Sequence, residues 1–197
     1  GNYKKNKVAV KVKRQESKAT GRIKNEYTIL KNINRYGIGP DVLMFVEGQE
    51  QHDAMIYRFV PGKPILIYLQ QENKKNIIVM LRSLLYQLHL LDMLGINKEE
   101  MTRPHKHVLI ARNKPVLIDF ERAYSTTKPH NVTQFVQFLL QQQTLFSKKG
   151  IRFSRTNIIS LAQAYKRNPT KKHFAVLLRA LSLGDRKLYI DKKRETL

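Results

Sequence analysis

The sequence contains no cysteine, which excludes disulfides and thiolate metal sites and fits a reducing compartment. It also lacks a long hydrophobic run. The longest apolar helical stretch, Leu81 to Leu94, is interrupted by Arg82, His89 and Asp92 and is shorter than the roughly 20 residues a membrane span needs. No secretory signal is legible at Gly1, so a soluble, cytoplasmic protein without a membrane partner is the expectation. Acidic residues are scarce: 15 Asp and Glu stand against 37 Lys and Arg, a formal charge of +22 that draws polyanions. That charge allows nucleic acid, nucleotides or an acidic partner, with plain solubility as the bland reading. The basic residues are spread from Lys4 to Lys193 and are not interleaved with stacking aromatics, so no single-strand-binding platform is legible. Internal repeats and low-complexity tracts are absent as well.

What is present suits one domain, or two small lobes around a cleft: 197 residues with 42% hydrophobic content can bury a core. The most informative stretch runs from Lys98 to Ala123, KEEMTRPHKHVLIARNKPVLIDFERA. Val108-Leu109-Ile110 and Val116-Leu117-Ile118 flank Ala-Arg-Asn-Lys-Pro, which predicts a small hairpin. Antiparallel pairing then brings His107, just before the first strand, near Asp119, just after the second. Glu100 lies seven residues before His107 and within reach of the same end. An acid-bearing loop, a hairpin and Asp-Phe at its exit form the layout with which protein kinases transfer phosphoryl groups.

Upstream, Val8-Ala9-Val10-Lys11-Val12-Lys13 alternates as a strand, with Lys11 and Lys13 on one face and Val10 and Val12 on the other. Val8-Ala9-Val10-Lys11 resembles the Val-Ala-Ile-Lys element of kinases, which implies a phosphate-binding lysine, and an exposed edge lysine is the other reading. Ile23, Tyr27, Leu30 and Ile33 recur at helical spacing until Gly37-Ile38-Gly39-Pro40 ends the helix, and Glu26 borders their apolar face. Glu26 can pair locally with Arg22 or Lys31, or reach Lys11. Val42 to Val46 and Met55 to Val60 predict a second hairpin across the polar segment Glu47 to Asp53, and Phe59 to Pro64 stops the sheet as a linker.

After Pro64 the pattern turns helical. Ile77, Ile78, Leu81, Leu84, Leu85, Leu88 and Leu91 make the stripe of a central buried helix that Gly95 stops. Three further helices are expected around Phe135, Phe138 and Leu139, around Ile158, Leu161 and Tyr165, and around Phe174, Leu177, Leu178 and Leu181. Gly150 and Pro169 punctuate them, and a basic tail from Asp185 to Arg194 is expected to fray.

The order VAVKVKR, NEYTILKNINRYGIGP, MIYRFVPGKPI, LDMLGINKEEMTRPHKHVLI, VLIDFERA and KPHNVTQFVQFL resembles an archaeal family of predicted serine/threonine protein kinases, small and atypical, related to RIO-type and KEOPS-complex kinases. The likeness covers Val8 to Leu140. It implies an α+β, protein-kinase-like fold: a small N-terminal antiparallel β lobe with one helix over residues 1–61, and a mainly helical C-terminal lobe over 62–197. It also implies ATP and Mg²⁺ between the lobes and a protein Ser/Thr hydroxyl as acceptor. A pseudokinase, or a basic RNA- or protein-binding scaffold on the same fold, is the alternative.

On that resemblance Lys11 holds the α- and β-phosphates, Glu26 pairs with it, and Tyr57, Arg58, Phe59 and Val60 line the nucleotide along the crossing strand. Glu100 is the candidate base or hydroxyl-positioning acid, with a helix-start carboxylate as the alternative. His107 replaces the metal-binding loop asparagine, or is a structural histidine bonded to a loop carbonyl. Asp119 carries the main Mg²⁺ role rather than that of a surface carboxylate or cap, and Lys106 is a further phosphate contact. Three departures stand out: no glycine-rich loop precedes Val8, Lys98-Glu99 replaces His-Gly before Glu100, and Glu121 replaces the glycine after Asp-Phe.

Overall fold

The computed structural model describes residues 1–12, 21–48 and 53–184. Lys13, Arg14, the tip of the segment after Glu47 and the basic tail expected to fray lie outside the described residues. The chain opens with β1 (Asn2–Tyr3) and β2 (Asn6–Val12), joined by Lys4 and Lys5, both in the left-handed region. Helix α1 (Arg22–Ile33) follows, then β3 (Val42–Val46) and β4 (Ala54–Arg58). These strands form one antiparallel sheet in the order β1-β2-β4-β3.

Lys11 opposes Met55, and Met55 opposes Phe45, so these three share the sheet face on which α1 packs. There α1 buries Ile23, Ile29, Leu30 and Ile33 together with Glu26, while Tyr27 stacks beside Phe45. Val10 and Val12 are more than half exposed, at 56% and 58%, on the opposite face. Side-chain alternation therefore puts the lysine inward and the valines outward. The Gly37 to Pro40 turn is tied down by Asn34, whose amide donates to the carbonyls of Ile38 and Pro40 and accepts from the Val42 N–H. Gly39 has φ 78°, and a Cβ there would lie 2.5 Å from a Leu30 methyl, so the turn requires glycine for both conformation and space.

The segment after Arg58 is more than the linker expected of it. Lys63–Pro64 forms β5, which pairs with β7 (Val108–Ala111), itself paired with β8 (Lys114–Leu117). The anticipated hairpin is present with longer strands and a tight turn at Arg112-Asn113, both with positive φ, the geometry a two-residue hairpin loop demands. Two helices follow β5, not one: α2 (Ile65–Gln71) and the central α3 (Lys74–Met93), capped by the Asn73 side chain on the Asn76 N–H. Gly95, φ 68°, ends the run as expected.

Beyond it, β6 (Ile96–Asn97) pairs with β9 (Tyr124–Ser125), and α4 (Asn131–Gln141), α5 (Gln143–Lys148), α6 (Arg155–Arg167) and α7 (Lys171–Ala180) complete the chain as described. Three of these helices match the apolar stripes, and α5 is additional. The architecture is mixed α+β, with antiparallel sheets first and a mainly helical remainder. One apolar cluster runs through it, from Ile23 to Leu183. Among the described residues no helix is long and apolar enough to cross a membrane.

A buried polar network fixes the loop that carries Lys98 to Glu100. Asp92, 4% exposed near the end of α3, accepts from the backbone N–H and side-chain amide of Asn131, from the Val132 N–H and from the Tyr165 hydroxyl. Asn131 in turn accepts from the Lys98 N–H and donates to the Ile96 carbonyl. Because the one hydroxyl proton of Tyr165 goes to Asp92, His89 Nδ1, 2.8 Å away, must be the donor to that oxygen.

The His89 imidazole stacks on Phe174 and is pushed down to about 4, first by burial and then by the Lys171 charge. Below its ordinary value near 6.5 the unfolded chain binds a proton that the folded chain refuses. The fold is therefore expected to lose stability as pH falls from about 6.5 towards 4. His89→Phe, which keeps the stacked ring, should flatten that part of the profile, read as urea midpoints at several pH values. An equally steep fall in the variant would contradict the assignment.

Candidate functional site

Three segments meet at Lys11. Its ammonium on β2 lies 2.6 Å from Glu26 Oε2 on α1 and 2.8 Å from Asp119 Oδ1, just beyond β8. The sheet alternation that turns Lys11 toward α1 makes the first contact. The hairpin register makes the second, since Ile118 N–H bonds the His107 carbonyl and delivers Asp119 at the ribbon's end. Glu26, 2% exposed, spends its other oxygen on the Phe120 N–H at 2.9 Å. The Asn25 amide donates to the Ala123 carbonyl at 2.9 Å, so α1 grips the chain on both sides of Glu121. Burial alone would drive the Lys11 proton off, yet the charge of Glu26 and the contact with Asp119 outweigh it and raise the amine above its ordinary value. For Asp119, burial pushes up, but Lys11, then Lys98 and His107, hold the carboxyl below its ordinary range.

Asp119 adopts φ 64°, a region that costs an L-residue about 1–2 kcal/mol, so surrounding contacts must enforce it. Lys98 supplies one. It is 2% exposed, its ammonium donates to the Asp119 carbonyl at 2.8 Å, and it lies 4.8 Å from the centre of the Phe120 ring. Burial pushes the amine down to about 8 against the pull of Asp119, Glu26 and Glu100. A methionine of similar length would fill the same space without a charge to desolvate. Lys98→Met removes both the desolvation cost of the charge and the bond to the Asp119 carbonyl, so its unfolding midpoint is expected to stay close to the parent's. A large fall in the midpoint would show that the bond to Asp119 outweighs the cost of burying the charge.

His107 joins the remaining acids. Its Nε2 lies 2.9 Å from Glu100 Oε2 and its Nδ1 lies 3.8 Å from Asp119 Oδ2. Burial and the Lys98 charge hold the imidazole below its ordinary value, against Glu100 and Asp119, which favours the neutral ring. In the neutral ring the N–H belongs on Nε2, facing the Glu100 carboxylate, which leaves a lone pair on Nδ1. That Nδ1 is buried and, among the described residues, has no hydrogen-bond partner. A buried lone pair beside a carboxylate, with the far nitrogen donating to a second carboxylate, suits a cation.

Among the described residues no group of three His, Cys, Asp or Glu side chains is arranged to hold a metal alone. Asp119 and His107 would supply two ligands to an ion that takes the rest from elsewhere, although imidazole is a softer ligand than Mg²⁺ usually takes.

Glu100 is a turn residue with φ 58° whose carbonyl accepts from Arg103, so it does not begin a helix. Its Oε1 lies 3.4 Å from the Arg122 guanidinium. Tyr57 shares the inner sheet face with Lys11, and burial, then the Glu26 charge, raises its hydroxyl. Arg58 turns the other way, to Asn6 and Asp41. Phe59 is 51% exposed with its N–H on the Lys7 carbonyl, and the Val60 carbonyl is taken by Gly62. Lys106 is exposed in the 3-10 turn Pro104–Lys106 that leads into His107. The cluster thus gathers Lys11, Glu26, Tyr57, Glu100, His107 and Asp119, and leaves the side chains of Arg58, Phe59 and Lys106 outside it.

Two members had no assigned role in the sequence reading. Lys98 is one. Glu121 is the other: its Oε2 lies 3.3 Å from Lys11 and its Oε1 3.5 Å from Arg22. The only signal for either was its presence where a kinase-like pattern has His and Gly. The sequence matches no protein-family model, and no curated protein matches it.

Proposed function

We propose that the protein is an ATP-dependent kinase of the atypical type, with a protein-kinase-like fold, transferring the γ-phosphoryl group to a protein Ser/Thr hydroxyl. The observation that carries this reading is the ammonium of Lys11 held by both Glu26 and Asp119, from three elements 15 and 108 residues apart in the chain. A cation so placed suits polyphosphate, and a carboxylate beside a buried imidazole lone pair suits the accompanying Mg²⁺. Mg²⁺ held by Asp119 and His107 would neutralise charge on the phosphates. Lys11 would bind the α- and β-phosphate oxygens, with Glu26 and Lys98 keeping Lys11 and Asp119 in place. The acceptor oxygen would form its bond to the γ-phosphorus as the bond to the β–γ bridging oxygen breaks, releasing ADP, and the hydroxyl proton would pass to Glu100. Positioning and charge neutralisation supply most of the rate in such a site.

The first test is calorimetry of ATP with and without Mg²⁺, followed by transfer of labelled phosphate to protein. Mg²⁺-dependent binding with transfer supports the kinase. A second reading, a pseudokinase that binds nucleotide as a scaffold, is favoured by one feature: both oxygens of Glu100 are already engaged, by His107 and Arg122. Binding without any transfer would select it.

A further inference from the structure

The ammonium of Lys11 has three hydrogens and is surrounded by three carboxylates: Glu26 at 2.6 Å, Asp119 at 2.8 Å and Glu121 at 3.3 Å. Two of the hydrogens are bonded to Glu26 and Asp119, and the Glu121 carboxylate stands within ion-pair distance of the same ammonium, so a phosphate oxygen approaching the third hydrogen competes with Glu121. Glu26 is held by burial and by the Phe120 N–H, and Asp119 is pinned at its backbone carbonyl by Lys98 while its carboxylate bonds Lys11 at 2.8 Å. Glu121 is the farthest of the three and its side chain is held by Lys11 and Arg22; at 29% exposed against 37% for Asp119, it is singled out by distance and not by access. It is the carboxylate that can leave.

Its position also says what replaces it. Glu121 sits between two cations from different elements, Lys11 on β2 and Arg22 at the start of α1, with one oxygen toward each. That is how a phosphate is gripped by a lysine and an arginine. We propose that Lys11 and Arg22 form a two-cation clamp for a phosphate of the nucleotide, and that the Glu121 carboxylate is an internal competitor for it. Arg22 thereby becomes a phosphate-binding residue and Glu121 a brake on nucleotide affinity. This rests on the nucleotide reading of the site.

The experiment is calorimetric titration of Mg-ATP, and of adenosine as a probe without phosphate, into the parent chain, Glu121→Gln, Arg22→Gln and the double variant. Glu121→Gln is expected to tighten Mg-ATP roughly two- to fivefold, the range that one partly exposed ion pair supports, and to leave adenosine unchanged. In the Glu121→Gln background, where Arg22 has no competitor left, Arg22→Gln should weaken Mg-ATP by a similar factor and again leave adenosine alone. Unchanged or weaker Mg-ATP binding in Glu121→Gln overturns the brake, and a silent Arg22→Gln in that background overturns the clamp. If neither ligand binds any of the four proteins, the nucleotide reading itself fails and this inference falls with it.

Discussion

Asp119→Asn is expected to abolish most Mg²⁺-dependent ATP binding, on the order of 100-fold in affinity, while leaving the fold intact. The carboxylate faces Lys11 on one oxygen and the buried Nδ1 of His107 on the other, so losing its charge would remove the acidic ligand of the proposed metal site and one of the three carboxylates around Lys11 together. Asparagine tolerates the left-handed backbone found at this residue, φ 64°, better than most residues do. Asp119→Ala should lose the same affinity and in addition about 1 kcal/mol of stability, because alanine is less at ease there. Comparing the two by calorimetry and urea unfolding separates charge from backbone strain. Unaltered, Mg²⁺-dependent affinity in both variants would place the nucleotide elsewhere.

The second large effect is on stability. Asp92→Ala removes the common acceptor of four donors, two from Asn131 and one each from Val132 and Tyr165, in a place with almost no access to water. Each buried donor left unsatisfied costs about 1–3 kcal/mol, and neighbours in one network do not add, so a loss of about 3–4 kcal/mol is expected. For a chain of this size that lowers the thermal midpoint by about 10 °C. Asp92→Asn keeps one acceptor oxygen but turns an N–H₂ toward donors, and should cost about half as much. Since Asn131 also accepts the Lys98 N–H, ATP affinity should decline in Asp92→Ala at temperatures where it remains folded. An unchanged unfolding midpoint would show that water or a rearranged Asn131 satisfies these groups instead.

Much of the candidate site was legible because its parts lie at element ends that local pattern defines. The strand alternation around Lys11, the helical spacing around Glu26 and the hairpin between His107 and Asp119 each follow from neighbours a few residues away. Short elements were not legible. β5, β6, β9 and α5 are two to six residues long, and their hydrogen bonds or packing come from segments distant in the chain, so no local period announces them. Nor was the depth of Lys98, which as a sequence reads as a lysine beside two glutamates. Only its enclosure by Phe120 and the Asp119 backbone makes it a buried cation.

By itself the sequence determined the mixed α+β order, the main helical stripes, the hairpin that brings His107 to Asp119, and the excess of positive charge. These depend on periodicity, turn chemistry and composition, which act over short stretches. Only the tertiary structure decided which face of the first long strand turns inward, that Glu26 meets Lys11 rather than Arg22 or Lys31, that Asp92 and Asn131 anchor the Lys98 loop, and that Glu121 closes the ring of acids around Lys11. Each of those choices is made by the free energy of burying or pairing a charge against residues up to about a hundred positions away, and that energy exists only once the chain has folded.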